Sequence, residues 1–213
     1  MNVKYQNLFG DSLTSQQIVE LSDYSKISFK NNNVKIIEYY SLTISGMSTV
    51  VSYFMDTEEA KQDILDKYCD PIKHVKCTLL FNKQQIGRYH LWKWEDYSVD
   101  KICTHKGEKV YDEKHRTLFS NEIDIRSDTL KSAQKYYHGN VYSGEFADTL
   151  LGFNYNSDGS VKYIFDTHEK YGYIRGITLD EFLEDTEFSQ ELFPWEQHPY
   201  FHSAYPFLPE GDL

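Results

Sequence analysis

The pattern of apolar and polar positions predicts short helices separated by runs of consecutive strands. Thr14 or Ser15 is placed to cap a short helix in which Ile18, Val19, Leu21 and Tyr24 mark an apolar side. Ile27–Phe29 and Val34–Ile44 are rich in β-branched and aromatic residues. The intervening Asn31-Asn32-Asn33 suits positive φ, so the two segments read as a hairpin. Thr49–Met55 reads as a further strand. Asp56 and Glu59 have capping-box spacing, and Ala60, Ile64, Leu65 and Tyr68 follow at helical intervals until Pro71. Val75–Phe81 and Ile86–Trp94 read as a hairpin pair around Asn82-Lys83-Gln84-Gln85. Strands follow near Lys109–Tyr111 and Ile123–Arg126.

Leu130–Tyr137 reads as a short helix capped by Ser127 or Asp128 and stopped by Gly139. Leu150–Tyr155 and Val161–Phe165 flank Asn156-Ser157-Asp158-Gly159, the clearest hairpin signal in the chain, with Tyr171–Ile174 as a further strand. Thr178 and Glu181 open a last helix through Leu179, Phe182 and Leu183. Strands that follow one another through hairpin turns predict an α+β fold: a central antiparallel sheet with helices packed on it. No low-complexity linker interrupts residues 1–213, which read as a single domain.

Charge changes the picture at the C-terminus. The chain carries 33 acids and 22 bases, a net of −11. Arg175 is the last base, and nine acids lie beyond it, so the first 175 residues are close to neutral at −2. The same tail holds four of the five prolines. It therefore reads in two parts: an acidic helix over 178–188, and a proline- and aromatic-rich strap over 193–213. The strap's rings are too costly to leave exposed, so it is expected to pack over the body. The acids on the helix have no lysine one turn away to balance them.

This acidity argues against nucleic acid or an anionic membrane as a ligand, since both require a positive field. There is no apolar run long enough for a transmembrane helix, and Met1–Phe9 lacks the apolar stretch of a signal peptide. Cys69, Cys77 and Cys103 are odd in number and widely spaced, which suits a reducing compartment. A cytoplasmic protein is expected.

Candidate chemistry is sparse. Cys69, His74, Cys77, Cys103 and His105 lack the paired Cys-x₂-Cys knuckle of a zinc site. His198 and His202 lie four apart but have Pro199 between them and no HExxH pattern. Asp112-Glu113-Lys114, with Asp100 upstream, resembles the acid-x-Lys string of metal-dependent nucleases, without a basic groove to accompany it. Trp92 and Trp94 share one face of a strand and are expected in the core rather than on a partner-binding face. A nucleophile elbow, a P-loop and a dinucleotide fingerprint are absent. No metal, no cofactor and no catalytic residue is therefore expected.

The segment Leu150–Asp185 combines an aromatic strand, an Asp-Gly turn, a strand ending in Phe165-Asp166, and Ile177-Thr178-Leu179-Asp180-Glu181-Phe182-Leu183-Glu184. It resembles the closing segment of SMI1/KNR4-type proteins, with Leu179 where a Phe is usual. The resemblance implies an immunity protein that binds and neutralises a toxin. Taken with the unmatched charge, it leads to an expected non-enzymatic protein that binds a basic partner. Asp180, Glu184, Asp185 and Glu187 would form the contact stripe, with Trp195 and Tyr200 as aromatic anchors. Two other readings stay open. One is a hydrolase or nuclease whose site is assembled from dispersed His, Asp and Glu; the other is a regulatory or phage protein that mimics nucleic acid.

Overall fold

The structure is a computed structural model that describes residues 1–7, 12–43, 46–113, 115–138, 151–166, 176–185, 190 and 193–209. Strands dominate it. Twelve strands are hydrogen-bonded in the order β12-β11-β10-β9-β8-β7-β6-β5-β4-β3-β1-β2, and two short α-helices occur among the described residues. The expected α+β fold, with helices packed on a central antiparallel sheet, is therefore corrected to a predominantly β, mixed sheet. The contacts divide the chain into two compact units, Met1–Gln84 with Trp92–Lys106, and Gln85–Leu91 with Gly107–Leu213. Each crossing between units falls inside a strand or a hairpin rather than in a linker, which is why composition gives no sign of it.

In the first unit, β1 (Asn2–Gln6) pairs antiparallel with β2 (Ser12–Leu13) and with β3 (Asp23–Lys30). The helix expected after Thr14 is a single 3₁₀ turn, Gln17–Glu20, with none of its residues buried. β3 and β4 (Asn33–Thr43) form the hairpin predicted by the asparagines, with Asn31 and Asn32 at φ 53° and 63°. β5 (Gly46–Phe54) lies antiparallel to β4 and parallel to β6 (Val75–Ile86). A parallel neighbour needs a crossover, and α1 (Lys61–Tyr68) provides it. Ile64 and Leu65 on α1 pack against Ile36, Val51, Tyr53, Cys77 and Leu79. The helix begins later than its capping box suggested. Asp56 N–H donates to Glu59 Oε2 at 2.7 Å, closing a turn, while Ala60 is the N-cap.

β7 (Tyr89–Tyr97) follows β6 through a turn at Gly87, φ 59°, rather than through residues 82–85. Glycine adopts that angle without the clash a Cβ would bring, and so moves the turn. Trp92 and Trp94 are buried, as expected, and Trp92 meets Phe54 edge-on.

In the second unit, β8 (Cys103–Tyr111, from Gly107 onward) is followed by β9 (Thr117–Ile123), β10 (Leu130–Tyr137), β11 (Leu151–Tyr155) and β12 (Val161–Asp166). β10 replaces the predicted helix over the same residues. Ser127 and Asp128 form a turn around Asp124, with Asp128 at φ 58°, instead of a cap. β10 is paired on both sides, with β9 and β11, and those ladders override its helical spacing. β11 and β12 form the predicted Asp-Gly hairpin, with Gly159 at φ 87°. α2 (Leu179–Glu184) forms where expected, and the strand predicted at Tyr171–Ile174 lies outside the described residues.

The strap packs onto this unit. Phe193, Trp195, Tyr200, Phe201 and Ala204 join Phe119, Leu151, Phe153, Tyr155, Ile164 and Phe182 in one core. Phe153 lies 4.7 Å from Phe201 and 5.3 Å from Phe193, ring centre to ring centre.

Candidate partner-binding surface

α2 is fixed in place from both ends of its first turn. Thr178 Oγ1 accepts from Glu181 N–H at 3.2 Å, and Glu181 Oε2 accepts from Thr178 N–H at 2.8 Å. This reciprocal box satisfies two backbone donors that a helix start leaves open. Phe182 is fully buried and anchors the helix against Phe193 and Trp195. The same orientation leaves Asp180 and Glu184 exposed and Asp185 half-buried. Among the described residues no lysine or arginine pairs with Asp180 or Glu184. Leu183, 39% exposed, sits between them in sequence and gives the acidic face an apolar element.

The two expected anchors are placed elsewhere. Trp195 and Tyr200 are 7% and 6% exposed. Trp195 stacks on His202 at 4.3 Å, and the Tyr200 hydroxyl donates to the Phe207 carbonyl at 2.8 Å. Both rings are held by the unit's own packing and leave little surface for a partner. Glu187 lies outside the described residues.

The other sequence candidates resolve into structural roles. His202 Nε2 donates to the Trp195 carbonyl at 2.9 Å, and His198 stacks on Phe193 at 4.3 Å. Burial lowers the His198 pKa, with the nearby His202 adding to the effect. Asp112 is 6% exposed and accepts from Arg116 Nε at 2.6 Å and from Arg116 N–H at 2.8 Å, which closes the β8–β9 turn. Lys114 lies outside the described residues. Among the described residues no three His, Cys, Asp or Glu side chains converge as a metal site.

Lys135 is the group that sequence reasoning missed. It is fully buried in β10 and donates to the carbonyls of Tyr200 at 2.5 Å and Ser203 at 2.8 Å. Burial lowers its pKa to about 7. Its signal was available only to a strand reading, in which Ala133, Lys135 and Tyr137 share a face.

No helix among the described residues is long and apolar enough to cross a membrane. Compared with protein-family models, with curated proteins and with solved structures, the chain matches none.

Proposed function

We propose that the chain is a non-enzymatic, cytoplasmic, acidic protein-binding protein, of the immunity type, that engages a basic toxin domain through α2. The observation that carries this reading is the exposed face of α2: Asp180 and Glu184 stand outward without a base among the described residues, beside the part-exposed Leu183. Like charges on one short helix repel, so an oppositely charged surface stabilises them on contact. Leu183 supplies the apolar contact that charge alone lacks. With Trp195 and Tyr200 in the core, the contact surface rests on Asp180, Leu183, Glu184 and Asp185. The choice of a toxin as the partner rests on the local resemblance of Leu150–Asp185 to SMI1/KNR4-type proteins.

Capture by the tagged full chain at low and high salt, followed by association kinetics with the captured protein, tests this. A basic protein bound only at low salt is expected. Glu184→Lys with Asp185→Lys should slow its association by about tenfold and change dissociation less. Association that is indifferent to both salt and charge reversal would remove α2 from the interface.

A further inference from the structure

A second feature of the same unit is independent of the acidic helix. On the sheet face opposite the strap, alternate residues of β10, β11 and β12 line up in two cross-strand rows. Gln134 pairs with Asn154 and Asn154 with Tyr163; Tyr136 pairs with Gly152 and Gly152 with Phe165. An open cleft of about 390 Å³ lies there, lined by Gln134, Asn154, Tyr163, Phe165 and Gly176. Two glycines shape it. A Cβ on Gly152 would fall 1.9 Å from Phe165 Cζ, and one on Gly176 would fall 2.5 Å from Tyr163 Cδ2. Both aromatic rings therefore lie down against backbone instead of standing off it.

The polar groups form a directed chain. The Tyr136 hydroxyl donates to Gln134 Oε1, and Gln134 Nε2 donates to Asn154 Oδ1 at 2.7 Å. The chain fixes the Asn154 amide and ends at its Nδ2, which has no partner among the described residues although Asn154 is only 6% exposed. A buried donor left without an acceptor is destabilising, and a pair of apolar residues would avoid that cost. The described residues of the cleft lining carry no charge.

We propose that this cleft binds a neutral hydroxylated ring, of which a pyranose sugar unit is the class that fits. The unpaired Asn154 amide requires an oxygen acceptor. Among the described lining residues no charged side chain offsets a phosphate or carboxylate, which favours a neutral ligand. The rings of Tyr163 and Phe165 offer flat apolar surface to the C–H face of a sugar, and the few fixed polar groups set its orientation. Asn154 Nδ2 is closed to solvent, so binding includes a rotation of the half-buried Tyr163 or Phe165 ring that opens the amide to the incoming hydroxyl.

The test is a titration of the isotopically labelled full chain with methyl glucopyranoside, methyl galactopyranoside, methyl mannopyranoside and N-acetylglucosamine, with adenosine as a neutral planar comparison. At least one pyranoside is expected to produce saturable shifts in the Asn154 and Gln134 side-chain amides and the Tyr163 ring. Asn154→Ala should weaken that binding at least about tenfold, the loss of one good hydrogen bond. Gln134→Ala, which removes the donor that orients the Asn154 amide, should weaken it too and serves if the Asn154 variant does not fold. Three outcomes overturn the proposal: no pyranoside moves these signals, adenosine alone saturates them, or folded cleft variants bind as the parent does. None of these bears on the α2 reading, which is measured with a protein partner.

Discussion

Lys135 Nζ donates to the backbone carbonyl of Tyr200 at 2.5 Å and lies 3.7 Å from the centre of the same residue's ring. One buried amine thus grips both the main chain and the side chain of the strap. With the Ser203 carbonyl at 2.8 Å, it ties β10 to residues 65 and 68 positions later. The Tyr155 hydroxyl, donating to Phe201 O at 2.9 Å, adds a second tie from β11.

This amine makes stability depend on pH. Its folded pKa is about 7, below the unfolded lysine value of about 10.4. Between those values the unfolded chain holds a proton that the folded chain has released, so stability rises with pH across the window. The slope from one group is at most about 1.4 kcal/mol per pH unit. Below pH 7 the cost of the buried charge is present in full. Tyr155 and Tyr200 oppose the trend at the alkaline end: burial raises both, so above about pH 10 the unfolded tyrosines ionise first and stability falls. Denaturant titrations from pH 7 to 9 should show the rise, and Lys135→Met should flatten it. A parent curve that is already flat would mean that Lys135 remains charged in place.

Three glycines should differ in their tolerance of alanine. A Cβ on Gly107 would meet the Asn121 backbone oxygen at 2.0 Å, an obstacle that cannot rotate away without parting β8 from β9. At Gly152 the obstacle is the Phe165 ring, which can swing aside at the loss of its packing. At Gly87 nothing lies within 4 Å, and only the φ of 59° resists a side chain. The expected order of destabilisation is Gly107→Ala, then Gly152→Ala at about 1–3 kcal/mol, then Gly87→Ala at about 1 kcal/mol. Thermal melts of the three variants would establish it.

The same contrast between local and distant causes explains what was legible in the sequence. Asn31-Asn32, Asp158-Gly159 and the Thr178–Glu181 box act through bonds and angles within a few residues, and each formed as read. Leu130–Tyr137 failed because its state is set by β9 and β11, and nothing in its own spacing records them. On a helix Lys135 and Ala133 would not share a face, whereas on a strand they do. Trp195 and Tyr200 are buried for a reason their own sequence does not record: an aromatic ring suits a core and an interface equally, and only the fold assigns it. The cleft is not legible in the sequence because Gly152 and Asn154 interrupt an otherwise apolar strand whose five residues are all buried.

Thr178→Ala should cost about 1 kcal/mol, because it leaves the Glu181 N–H without its acceptor and removes half of the reciprocal box. Thr178→Ser should restore most of it. The loss should concentrate at α2, where hydrogen exchange at Phe182 would report fraying before global unfolding. Equal exchange in the parent and the alanine variant would show that Phe182 packing alone holds the helix.

The cysteines should be poor nucleophiles in the folded chain and unequal to one another. Burial raises the thiol pKa of Cys69, Cys77 and Cys103, and Cys77 is only 1% exposed. The thiolate is the reactive form, so each thiol is protonated and inert near neutral pH. Cys103 is the least buried of the three and should react first with a disulfide reagent at pH 8, more slowly than a free thiol. Cys69 and Cys77 should wait for unfolding, so their labelling should follow the denaturant transition while that of Cys103 precedes it. Rapid modification of all three thiols in the native chain would contradict the burial that places Cys69 and Cys77 between α1 and its sheet.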